Sequence, residues 1–100
     1  MWKLFLDDER YSVDDDFMVI RSCKEAIKYI GINGLPEYIS FDHDLGNEDT
    51  GYDFTQWLVE YHLSNNIQWN INYYVHSQNP IGKNNIINLI ENFKRFQNSN

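Results

Sequence analysis

The stretch Trp2-Lys3-Leu4-Phe5-Leu6-Asp7-Asp8-Glu9-Arg10 passes from apolar to acidic in a single step. A short apolar run that ends abruptly in carboxylates reads as a buried strand emerging into a polar loop. The pattern recurs further along. Tyr38 to Phe41 runs into Asp42-His43-Asp44-Leu45-Gly46, and Ile71 to Val75 runs into His76-Ser77. Phe17 to Ile20 is another apolar run, placed after the acidic stretch Asp14-Asp15-Asp16.

Between these runs the apolar period lengthens. Ser22 and Glu25 have capping-box spacing, and Cys23, Ala26, Ile27 and Ile30 follow at i, i+3, i+4 and i+7, which predicts an amphipathic helix. Gly31, Gly34 and Pro36 should stop it. Asn47 to Gly51 reads as a polar loop, after which Phe54, Trp57, Leu58 and Tyr61 share one face of a second helix. Asn79 is a natural N-cap with Pro80 at the first helical position, and Ile86, Leu89, Ile90 and Phe93 form the apolar face of a third helix. The chain beyond Phe96 is expected to fray, giving one domain over residues 1–97 and a tail at 98–100. There is no repeat and no linker.

Strands alternating with helices predict an α/β fold, a mostly parallel four-stranded sheet with helices on both faces. The first two strands depart from that rule. Only Glu9 to Asp16 separates them, too few residues for a crossover helix, so either an extended connection spans the sheet or the second strand is antiparallel.

In open sheets of this class, ligands bind outside the carboxyl ends of the strands, where the strand order reverses. Right-handed crossovers bring the first, third and fourth strand ends to one edge. Asp7, Asp8, Asp42 and Asp44 should therefore crowd together, and carboxylates that close repel unless protonated or neutralised by a cation. Oxygen donors suit Mg²⁺ or Mn²⁺, with the adjoining imidazoles favouring Mn²⁺ or another transition metal. Any single acid here would be read as a solvated loop residue; three strand ends carrying the pattern favour a metal site.

His76 can ligate or move a proton, and Ser77 can donate to a phosphate oxygen. Asn79 and Lys83 sit in the first turn of the last helix, whose amide donors suit an anion, although an ordinary helix start explains Asn79-Pro80 alone. Arg10 has two readings: a bidentate phosphate clamp, or an ion pair with Glu9 or with residues 14–16. His43, between two acids, divides evenly between a functional and a structural role. His62, near Glu60, is expected at the surface. Trp57, Trp69 and the tyrosines are expected to be core and sheet cover rather than base-stacking platforms.

One hundred residues suffice for one core. Fifteen acidic residues against 8 basic ones leave a net charge of −7, which argues against broad nucleic-acid binding and against anionic membrane surfaces. Cys23 is the only cysteine, so no intramolecular disulfide and no thiolate zinc site is expected. The acidic residues so near the amino end are unlike a signal peptide, and a cytoplasmic location is expected.

At Phe5-Leu6-Asp7-Asp8-Glu9-Arg10, Ser40-Phe41-Asp42-His43-Asp44-Leu45-Gly46, Thr50-Gly51-Tyr52-Asp53 and His76-Ser77-Gln78-Asn79-Pro80-Ile81-Gly82, the chain resembles the cyclic-phosphate-processing receiver family, a divergent branch of response-regulator receiver domains. The resemblance implies a receiver-like three-layer sandwich of strand order 2-1-3-4, with the first helix and fifth strand reduced or absent. In ordinary receivers, acids matching Asp7 and Asp8 bind Mg²⁺ with the Asp at the position of Asp42. That Asp accepts a phosphoryl group beside a hydroxyl matching Ser77. No fifth-strand lysine is present, and Lys83 is the nearest substitute. The branch with His-Ser-x-Asn-Pro is implied to process cyclic or terminal phosphates of nucleotides, in defence or counter-defence settings. The expectation is thus a metal-dependent phosphodiesterase or phosphohydrolase, with His76, Asp42 and His43 catalytic and Arg10, Ser77, Asn79 and Lys83 on the phosphate. The rivals are a non-catalytic module that binds a phosphorylated signal or a partner protein, and a receiver phosphorylated on Asp42.

Overall fold

The computed structural model describes residues 2–7, 16–41, 50–76 and 79–99. Along the chain lie β1 (Lys3–Leu6), β2 (Phe17–Ile20), α1 (Cys23–Asn33), β3 (Tyr38–Phe41), α2 (Gly51–Ser64), β4 (Asn72–Val75) and α3 (Pro80–Asn98). The strands form one sheet of order β2-β1-β3-β4. Every pairing is parallel, with Lys3 opposite both Phe17 and Tyr38, and Tyr38 opposite Asn72. The open choice for the second strand thus resolves to parallel pairing with β1. A four-residue strand needs a return path of only about 13 Å, within reach of residues 7–16.

Side chains alternate across a strand, and this alternation divides the sheet into two unlike faces. Leu4, Leu6, Ile39, Phe41 and Val75 are buried in one cluster with Ala26 and Ile30 of α1, Phe54 and Leu58 of α2, and Ile86, Ile90 and Phe93 of α3. Their alternates Lys3, Phe5, Phe17, Val19 and Tyr38 are half-buried, and Asn72 and Tyr74 are exposed. The described helices therefore lie on one face, not on both as expected. The connections β2→α1→β3 and β3→α2→β4 step across the sheet in the same direction, and right-handed crossovers in one direction deposit their helices on one side.

Local chemistry sets the helix ends. Ser22 accepts from the Glu25 amide at 3.2 Å. Gly31 does not interrupt α1, since a glycine inside a helix costs only about 1 kcal/mol. Gly34 ends it with φ of 84°, its amide donating to the Ile30 carbonyl. At α2, Thr50 and Asp53 form a reciprocal capping box, so Gly51 begins the helix rather than closing the loop. Asn79 caps α3 through a bond from the Gly82 amide to its Oδ1 at 3.1 Å. The last helix also runs past Phe96. Gln97 accepts from the Trp69 amide at 2.8 Å and donates to the Ile67 carbonyl at 2.9 Å, which ties down the turn expected to fray.

Candidate functional site

The carboxyl ends of β1, β3 and β4 meet at His76. Its backbone amide donates to the Phe41 carbonyl at 2.8 Å, extending the β3–β4 ladder by one residue beyond Val75. Its Nε2 lies 2.9 Å from Asp7 Oδ2, a contact between residues 69 positions apart. Its Nδ1 lies 2.7 Å from Ser40 Oγ. The Phe5 ring stacks on the imidazole with centroids 4.8 Å apart and planes within 7°. Each of the three strands thus fixes one side of the ring: β1 through Phe5 and Asp7, β3 through Ser40, β4 through the backbone.

Asp7 is 1% exposed. A buried carboxylate is costly unless it is hydrogen-bonded, and here the imidazole provides that bond. The Asp7 amide donates to the Ile20 carbonyl at 3.2 Å, and Arg21 Nη1 donates to the Asp7 carbonyl at 3.0 Å, so β2 adds a cation to the same pole. An ionised carboxylate only accepts, which places a proton on His76 Nε2. In the neutral imidazole Nδ1 then accepts from the Ser40 hydroxyl, a tautomer assigned from the hydrogen-bond network.

Of the residues expected to act, Asp7 and His76 come together directly. Lys83, on α3, places its Nζ 5.5 Å from the centroid of the Tyr74 ring, two residues before His76. Asn79 uses its side-chain oxygen as the α3 cap. Asp8, Arg10, Asp42, His43, Asp44 and Ser77 lie outside the described residues. Among the described residues no group of three or more His, Cys, Asp or Glu side chains could hold a metal ion. Asp7 itself, an oxygen donor at the tip of a central strand and next in sequence to Asp8, suits a hard divalent cation.

Ser40 and Phe5 escaped the sequence reading as site residues. Ser40 had a signal: it is the one small polar residue in the apolar run Tyr38 to Phe41, two residues before the acids and so on the same alternation. His62, expected at the surface, is 1% exposed. It continues the Phe54–Leu58 face at the next i+4 step, its Nδ1 donates to the Leu58 carbonyl at 2.7 Å, and its ring packs on Trp69 at 4.7 Å. A cleft of about 280 Å³ lined by Pro36, Glu37, His62 and Asn72 lies at the amino ends of β3 and β4, the pole opposite His76.

An all-parallel sheet of order 2-1-3-4, with an acid and a polar cluster at the carboxyl ends of its central strands, defines a receiver-like α/β domain. Residues 2–92 match the family described as the cyclic-phosphate processing receiver domain, and the chain belongs to that family. No curated protein and no solved structure matches it. No described helix is long and apolar enough to cross a membrane.

Proposed function

We propose that the protein is an enzyme that opens a cyclic phosphate by hydrolysis, with the phosphate carried by a nucleotide or a nucleotide end. The single observation that carries this reading is the bond between His76 and Asp7, which couples a proton-handling group to a buried carboxylate at the ligand-binding edge of the sheet. Membership in a family described by cyclic-phosphate processing supplies the substrate class.

In this reading Asp7, Asp8, Asp42 and Asp44 hold Mg²⁺ or Mn²⁺, which when bound neutralises phosphate charge and polarises the phosphorus centre. His76 takes and returns the proton at Nδ1, while Asp7 keeps the Nε2 proton in place and stabilises the imidazolium. Lys83 and Arg10 draw the anionic substrate to the site, with Ser77 and Asn79 as further polar contacts and His43 beside the acids. The ring stack with Phe5 limits imidazole rotation, so the proton acceptor is positioned before substrate arrives.

Purified protein incubated with 2′,3′-cyclic and 3′,5′-cyclic nucleotides, with Mn²⁺ or Mg²⁺ added, tests the reading. Ring-opened monophosphate should appear, and His76→Ala should lower turnover by at least about 100-fold. Absence of product from every cyclic phosphate, or equal turnover by His76→Ala, contradicts it. Tight binding of a cyclic nucleotide without product would instead identify a sensing module built on the same pocket.

A further inference from the structure

The Ser40 hydroxyl has no part in the reading above, yet it is placed as a nucleophile is placed. Its Oγ is 2.7 Å from His76 Nδ1, and the opposite ring nitrogen is 2.9 Å from Asp7 Oδ2. Hydroxyl, imidazole and carboxylate in series are recognised by geometry and roles, not by chain order. Three more observations fit. Asp7 is buried, so its negative charge acts on the imidazole with little screening by solvent. The Phe5 stack fixes the ring plane. Ser40 is itself 7% exposed and in register with Tyr74, and the Lys83 ammonium lies 5.5 Å from the centroid of that neighbouring ring.

We infer that Ser40 is a catalytic nucleophile, and that Ser40, His76 and Asp7 form a hydroxyl-activating triad for phosphoryl transfer. This rests on the cyclic-phosphate reading for its substrate, though the triad stands on its own geometry. The Ser40 oxygen attacks phosphorus as its proton passes to His76 Nδ1. The Oγ–P bond forms, one ring P–O ester bond breaks, and the released ribose oxygen takes the proton from His76. A water then gives its proton to His76 and attacks the same phosphorus. The Oγ–P bond breaks, Ser40 recovers its proton, and the sum is one cyclic phosphate plus one water giving one monoester.

A fluorophosphonate probe provides a readout that needs no variant. Its phosphorus should bond to Ser40 Oγ with loss of fluoride, and peptide mass spectrometry should locate the adduct on Ser40, with labelling lost in His76→Ala. Turnover of a 2′,3′-cyclic nucleotide by Ser40→Ala should fall at least about 100-fold, while circular dichroism confirms the variant folded. An adduct on Ser40 without turnover of any cyclic phosphate keeps the triad and removes the substrate reading. Turnover by Ser40→Ala within about threefold of the parent overturns the nucleophile and leaves the cyclic-phosphate reading in place. No adduct on Ser40, whatever the turnover, also overturns it and leaves the hydroxyl as support for the imidazole.

Discussion

Burial holds His62 neutral: desolvation lowers its pKa below the ordinary 6.5, against the opposing pull of the Leu58 carbonyl. Well above pH 6.5 neither the folded nor the unfolded chain appreciably protonates this ring, and its contribution to stability is complete. As pH falls from there through the lower folded value, the unfolded chain takes the proton first and stability is lost. Urea unfolding at about pH 7 and about pH 5.5 should show that loss, and His62→Leu, which keeps an apolar side chain there, should shrink the difference. An unchanged difference would contradict a neutral His62. At the other pole, Asp7 was legible as a candidate because it ends an apolar run. Ser40 was not, because a lone hydroxyl inside an apolar strand carries no chemistry until the fold brings an imidazole to it.

At the scale of elements, α2 depends on a cap the sequence displays openly. The Thr50 and Asp53 backbone amides are satisfied by each other's side chains at 2.8 and 3.1 Å, respectively. Thr50→Ala should cost about 1 kcal/mol in chemical denaturation, since it takes the hydroxyl partner from the Asp53 amide. A change near zero would mean that the core contacts of Phe54 and Leu58 alone hold the start of the helix. On β4, the Tyr73 hydroxyl donates to Glu91 Oε2 of α3 at 2.6 Å. Burial, then this bond, pushes the Tyr73 hydroxyl well above its ordinary 10.0, and the same bond lowers Glu91. Tyr73→Phe should return the Glu91 carboxyl toward its ordinary value, readable by NMR titration. No movement would show that Lys94 and Arg95 dominate it. Strands and caps were readable because each depends on neighbours within a few residues: Phe17–Ile20 and Tyr38–Phe41 fall where their apolar runs do. The end of α3 was not, because it is held by Ile67 and Trp69 about thirty residues away.

For the whole molecule, topology did what local pattern could not. Alternating strands and helices foretold a parallel sheet, but the placement of the described helices on one face follows from strand order, which sets the direction of each crossover. That same order puts β1 between β2 and β3 and brings the tips of β1, β3 and β4 around one imidazole. In the proposed function, Asp7 and His76 act as one unit in opening a cyclic phosphate. A double-mutant cycle on kcat/KM for a 2′,3′-cyclic nucleotide, using Asp7→Asn, His76→Ala and the pair together, measures this most directly. Each single change should cost at least about 100-fold, and the double variant should be little worse than the weaker single one. Losses that multiply independently, or single variants as active as the parent, would contradict it.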